Sequence, residues 1–226
     1  MDHPSSDLTT IGILGAGRVG TTIARQAMRA GLGVQIAASR PASELGLLVD
    51  IMTPGAIAVD ASRIAEGADL VILAIPLGKY RQLPTDALAG AIVIDAMNYW
   101  VPTDGHLPEF ADPDVASSEV IQRHLSASPV VKTLNHIGYH DLEVDHRDAG
   151  APDRRALVVA SDHAPAAARV GCLIDRLGYD PLVVESLHAS RVLQPDTEIF
   201  NGRFTRPDLE TILQRDGIIP SRVLAS

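Results

Sequence analysis

Short apolar runs recur along the chain, and between them apolar residues return every three or four positions. The runs are Ile11–Leu14, Gly33–Ala38 (GVQIAA), Ala56–Val59, Asp69–Ile75 (DLVILAI), Ala91–Ala96 (AIVIDA), Pro129–Leu134 (PVVKTL), Ala156–Ala160 and Pro181–Val184. Each has the length of a strand, and the unbroken apolar character of Asp69–Ile75 and Ala91–Ala96 predicts burial on both faces. After the first run, Val19, Ile23, Ala27 and Ala30 fall on one helical face, with Arg18, Thr22, Arg25 and Arg29 turned away, until Gly31. Ser43–Met52 carries Leu47, Leu48 and Ile51 at helical spacing and closes at Pro54–Gly55, and Ala61–Glu66 stops at Gly67. Further helices are predicted over Glu119–Leu125 and from a cap at Asp162 through Val170, Leu173, Ile174 and Leu177 to Gly178. Leu187–Leu193 reads as a short segment and Leu209–Leu213 as part of a tail helix. Asn98–Pro113, which holds the single tryptophan Trp100, is expected to be irregular. Asn135–Pro152, rich in His and Asp, is expected to be open and solvated.

Strand and helix alternate through the first five runs, the rhythm of a parallel doubly wound α/β sheet. Right-handed crossovers then set the first and fourth strands side by side, with a crevice at their C-terminal ends. The expected architecture is a Rossmann-type, mostly parallel sheet of about eight strands with a small C-terminal extension. Residues 1–8 read as a flexible tail, 9–200 as one domain, and 201–226 as a C-terminal tail with a short helix. Ile199, Phe200, Phe204, Leu209, Ile212 and Leu213 follow the last predicted strand and need a surface to bury against. A second copy of the chain supplies one, so a homodimer is expected.

Composition narrows the function classes. The 226 residues are 46% hydrophobic with 4% aromatics, which suits a sheet built from Ala, Val, Ile and Leu. A net charge of −9 argues against nucleic-acid backbone binding. Cys172 is the single cysteine, so no intramolecular disulfide forms and a reducing compartment is expected. The start, MDHPSSDL, lacks the basic region and apolar core of a signal peptide, and Leu70–Leu77 is too short to span a membrane. A cytoplasmic location is expected, with neither membrane nor nucleic acid as partner.

Candidate chemistry sits at the strand ends. Gly15, Gly17 and Gly20 give GxGxxG between the first strand and the first helix, the context of a dinucleotide fingerprint. Gly15 suits the tight turn, Gly17 the approach of a pyrophosphate, and Gly20 the close packing of helix on strand. The second strand ends in Ala38–Ser39–Arg40, with no carboxylate before Glu44 to bond a bare ribose. A hydroxyl and a guanidinium there suit a 2′-phosphate, so NADP is favoured over NAD. Ile75–Pro76 closes the fourth strand beside the fingerprint and leaves room for a flat ring. Asn98 follows strand five and Asn135–His136–Ile137 follow strand six, where a second, small-molecule substrate binds in such sheets. The amides and the imidazole could bond a heterocycle's edge while Ile137 packs on its face. His136, His140 and His146 among acids suggest metal at first sight, but Ile137–Gly138–Tyr139 hold a helix poorly and no HExxH occurs. No metal site is expected.

Through GILGAGRVG, the Ser39–Arg40 corner, VILAIP, VVKTLNHIG and the late SLHASRVL, the chain resembles the NADP oxidoreductases that use coenzyme F420, a deazaflavin. The likeness runs from about Thr9 to Phe200. It implies NADP on Gly15, Ala16, Gly17, Arg18 and Val19, with its 2′-phosphate at Ser39 and Arg40 and its nicotinamide beside Ile75 and Pro76. It places Asn135, His136 and Ile137 near the reacting rings. The stretch Asn98–Phe110 departs from the family's archaeal members. The function so implied is hydride exchange between NADP(H) and coenzyme F420, with FMN or FAD as the alternative co-substrate. The rival readings are a dehydrogenase or imine reductase of a small metabolite, and a non-catalytic NADP-binding or sensing protein.

Overall fold

The computed structural model describes residues 8–220. Eight strands form one sheet: β1 (Thr10–Leu14), β2 (Gly33–Ala37), β3 (Ile57–Ala58), β4 (Leu70–Leu73), β5 (Val93–Asp95), β6 (Val130–Lys132), β7 (Ala156–Ala160) and β8 (Asp180–Val184). Their order is β3-β2-β1-β4-β5-β6-β7-β8, and β1 to β6 are parallel. The order reverses between β1 and β4, which pair from Ile11–Leu70 to Leu14–Leu73 as the crossover rule requires. This is a Rossmann-type α/β sheet with its switch point at the glycine turn.

The period of two along each strand divides the core. Leu70 and Ile72 join Ile11, Ile13, Ile94 and Val131 on one face, under helices α1 (Arg18–Arg29) and α7 (Ala164–Leu177). Val71 and Leu73 join Leu14, Val93 and Val130 on the other, under α5 (Ser117–His124). Between β4 and β5 no full helix forms; a 3₁₀ turn over Leu77–Gln82 and one α turn, α3 (Thr85–Leu88), make the crossing. After β2 the predicted helix is present as α2 (Ala42–Met52).

Several expectations are corrected. The 98–113 stretch contains a one-turn helix, α4 (Val101–Asp104), and a 3₁₀ turn over Pro108–Phe110, braced by Tyr99 stacked on Phe110. The 135–152 stretch is open only in its second part, past Asp145. Leu134 to Ile137 are buried, and α6 (Tyr139–Val144) follows. Asp145 is buried too, where it accepts at 3.0 Å from Arg155, whose guanidinium also donates to the Gly202 carbonyl. Asp162 does not cap α7; its carboxylate accepts from the Leu187 N–H.

The tail is not an appendage. Helix α8 (Arg206–Arg215) lays Leu209, Ile212 and Leu213 on Ala156, Val158, Leu182 and Val184, with Ile199 beside them. Their apolar surface is covered by this chain's own sheet, so they give no ground for a homodimer. Of the tail expected over residues 1–8, Leu8 belongs to the core, and residues 1–7 lie outside the described residues, as do 221–226.

One junction of the sheet stands apart. Strand β7 runs antiparallel to β6 with a single paired position, Lys132 with Ala160, and β8 then pairs parallel to β7 over five. Side chains supply the missing ladder. The Val158 N–H donates to His136 Nε2 at 3.1 Å, and Ser161 Oγ donates to the Val130 carbonyl at 2.7 Å.

Candidate functional site

The turn after β1 is shaped by its glycines. Gly15 has φ +127°, and a Cβ there would stand 2.2 Å from the Ala74 carbonyl oxygen. A Cβ on Gly20 would stand 1.9 Å from the Gly15 oxygen, so only glycine lets α1 lie on the turn. Gly17 meets nothing within 4 Å. It is the N-cap of α1, no side chain caps that helix, and its first turn holds no acid. The first N–H groups of a twelve-residue helix thus face open space, the arrangement that receives a phosphate.

Two cavities meet at this turn. One of about 240 Å³ has Gly15, Ala16, Gly17 and Ser39 on one side and Ile75, Pro76, Lys79 and Gln82 on the other. The second, of about 530 Å³, runs from Gly17, Arg18 and Val19 past Ile75 and Pro76 to Met97, Asn98, Thr103 and Tyr139. Gly17 and Ala74–Pro76 line both. A dinucleotide can therefore lie across the glycine turn with one half in each cavity. Arg40 is exposed at the corner beside Ser39 and lines neither cavity.

The wall between β4 and β5 is held from outside. Asp104 accepts from the Gly78 N–H and from the Trp100 N–H, both at 2.8 Å, tying α4 to the turn that follows Pro76. Below it lies a buried ion pair. Lys132 Nζ stands 3.2 Å from Asp95, donates to the Met97 carbonyl, and shares the carboxylate with Ser118 Oγ at 2.6 Å. Burial pushes the Lys132 ammonium below its ordinary value, while the Asp95 carboxylate pulls the other way. A third cavity, about 370 Å³ between Tyr99, Trp100, Phe110 and Gln194, lacks any of the glycine turn.

The β6 turn departs from expectation. Asn135, His136 and Ile137 are all buried, and none of them lines the crevice. Asn135 donates to Asn98 Oδ1 at 3.0 Å and to the Leu193 carbonyl at 2.7 Å, and Asn98 donates back to the Asn135 carbonyl at 2.8 Å. This pair of amides ties the ends of β5 and β6 to the 3₁₀ turn of SLHASRVL (His188–Leu193). Leu134, at φ +63°, turns the chain there in the left-handed region. Because His136 Nε2 accepts a backbone N–H, its proton sits on Nδ1, 3.3 Å from Asn135 Oδ1. Burial, with Arg155 and Lys132 adding positive charge, lowers its pKa to about 3. His136 is a neutral, buried strut, which corrects its expected place in a solvated loop, and Ile137 packs in the core instead of facing a ring. Of the residues expected at the second substrate, Asn98 alone reaches the cavity.

Sequence reasoning missed Lys79, Met97, Thr103, Asp104 and Tyr139. Met97 adjoins the predicted Asn98, and Tyr139 follows the NHIG turn by one residue, so proximity to a strand end was their only signal. Among the described residues, no group of three His, Cys, Asp or Glu side chains is placed to hold a metal ion, and no helix is long and apolar enough to cross a membrane.

Fold, glycine turn and joined cavities make a Rossmann-type dinucleotide-binding site. Residues 10–99 match the model of the family described as NADP oxidoreductase, coenzyme F420-dependent. That match spans β1 to β5 and stops before β6, and it points to the NADP-dependent oxidoreductases. A hypothetical protein from Sinorhizobium meliloti is 27% identical, with a TM-score of 0.73 over 90% of this chain and 98% of that one. A candidate F420-dependent NADP-reductase from Arthrobacter sp. FB24 is 26% identical, with a TM-score of 0.66 over 81% and 89%. The 3-hydroxyisobutyrate dehydrogenase of Mycobacterium tuberculosis, 16% identical with a TM-score of 0.59, shares the fold over 82% of this chain and 57% of that one. None of the curated proteins matches the chain in sequence.

Proposed function

We propose that the protein exchanges hydride between NADP(H) and a deazaflavin of the coenzyme F420 type, or a related flavin. The observation that carries this reading is the pair of cavities joined over Gly17. The smaller suits the adenosine half of the cofactor, with Ser39 and Arg40 at its 2′-phosphate. The larger suits the nicotinamide half beside Ile75 and Pro76, with further room toward Asn98, Thr103 and Tyr139 for a second planar ring. NADPH, when bound, supplies the hydride. The chain's own task is placement: the α1 N-terminus holds phosphate, Pro76 and Met97 bound the ring space, and the Asn98–Asn135 clamp fixes its far side. No side-chain nucleophile or acid is needed, and the buried neutral His136 offers none. The Arthrobacter relative, itself a candidate F420-dependent NADP-reductase, agrees with this acceptor.

Mixing the protein with NADPH and, separately, F420 or FMN tests the reading by the absorbance of the acceptor. Rapid loss of F420 absorbance at saturating NADPH is expected. Oxidation of NADPH only with a small imine or carbonyl substrate would instead establish the dehydrogenase reading, and stoichiometric NADPH binding without turnover would establish a sensing role. Arg40→Ala should raise the Kd for NADPH about tenfold to a hundredfold and leave NADH little changed, as loss of a charge-assisted bond predicts.

A further inference from the structure

The chain uses arginine for nearly all its cationic side chains and lysine at only two positions, Lys79 and Lys132. Lys132 is spent on the buried Asp95 carboxylate. Lys79 is exposed, and among the described residues its ammonium forms no ion pair and no hydrogen bond. It lines the smaller cavity, whose other wall carries Ser39. Its backbone is fixed: the Lys79 N–H donates to the Pro76 carbonyl at 3.0 Å, and the preceding Gly78 is held by Asp104. A cation on a fixed backbone with no protein partner shares this cavity with a serine hydroxyl, a donor pair suited to an anion.

We propose that Lys79 is a specificity-determining residue that grips the 2′-phosphate of NADP(H) from the side opposite Ser39 and Arg40. The inference rests on the NADP reading above and extends it. One phosphate is then held by two cations from separate elements, the β2 corner and the turn after β4. Arg40 alone, exposed and outside the cavity lining, would hold it from one side only. The flexible stem of a lysine suits this role, because the ammonium can follow the phosphate without the fixed fork geometry of arginine.

The test is titration of the full chain with NADPH, NADH and 2′,5′-ADP, followed by calorimetry, in wild type, Lys79→Met and Lys79→Arg. Lys79→Met keeps most of the apolar stem and removes the charge. It should raise the Kd for NADPH and for 2′,5′-ADP about tenfold to a hundredfold, leave NADH within about twofold, and flatten the salt dependence of NADPH binding. Lys79→Arg should recover most of the loss. An equal change for NADPH and NADH would place Lys79 on the adenine or pyrophosphate and overturn the proposal, as would no change for either. Those failures occur with a wild-type protein that still prefers NADPH. A wild type without that preference overturns the NADP reading itself.

Discussion

The turns after β1 and β6 leave the same edge of the sheet and have opposite characters. The first is glycine, with backbone donors open to solvent and a helix end that no side chain caps. In the second, Asn135, His136 and Ile137 are buried, and both polar side chains are bonded within the protein. The neighbouring junctions differ likewise: β1 and β4 share four paired positions, whereas β6 and β7 share one. Where the backbone ladder is complete, the turn above it is free to meet a ligand. Where it is nearly absent, the side chains of the turn take over the work of the ladder. Both stretches stand out in the sequence, so a distinctive strand end marks either a ligand site or a structural seam.

The sharpest way to break the second region is to remove Lys132. Lys132→Ala leaves the Asp95 carboxylate buried without a cation, held by the Ser118 hydroxyl and the Met97 N–H, and should cost about 3–5 kcal/mol in urea unfolding. Next comes Ile137→Ala, which empties a packed position and should cost about 2–5 kcal/mol; a ring-facing Ile137 would instead slow hydride transfer with stability intact. Asn135→Ala strands the Leu193 carbonyl and Asn98 Oδ1 and should cost about 1–3 kcal/mol.

His136 gives the seam a pH dependence. Its folded pKa, about 3, lies below the ordinary 6.5, so the unfolded chain takes up a proton that the folded chain refuses. Its contribution to stability is therefore complete above pH 6.5 and is lost as the pH falls toward 3, at up to about 1.4 kcal/mol per pH unit. The fall in urea midpoint between pH 7 and pH 5 should be shallower in His136→Gln than in wild type; equal slopes would assign the loss to other groups. The smallest effect on stability belongs to the first turn. Gly17 has ordinary negative φ and open space around its Cα, so Gly17→Ala should stay within about 0.5 kcal/mol by thermal melting. The same variant should weaken NADPH binding in a fluorescence titration, because its methyl group enters the space that the helix end offers to phosphate.

The same contrast explains what the sequence could show. Strands are written as short apolar runs, so all eight were legible, even β3 with its exposed Ile57, and GxGxxG is legible because its residues act on one another locally. The seam was not. Arg155 and Asp145 read singly as solvated charges, yet they are buried against each other ten residues apart in the chain. Arg154 likewise meets Asp175 and Asp180 across the fold. Hydropathy scores each residue alone, and neutralisation by a distant partner is invisible to it. The tail residues failed for a similar reason: Leu209, Ile212 and Leu213 did need a surface, but the chain's own β7 and β8 supplied it. At the site, the strand-end residues Ser39, Ile75, Pro76 and Asn98 do gather round the two cavities, whereas Lys79 and Thr103 come from turns whose approach depends on Asp104.

The placement of the two lysines also has a chemical consequence. An acylating reagent needs an accessible, unprotonated amine, and Lys132 is sealed under Met97 with its ammonium bonded on two sides. Lys79 is the other lysine, exposed at the mouth of the smaller cavity. The described part of the molecule thus offers one reactive lysine, and a dye attached there would sit at the cavity rim as a reporter of what enters.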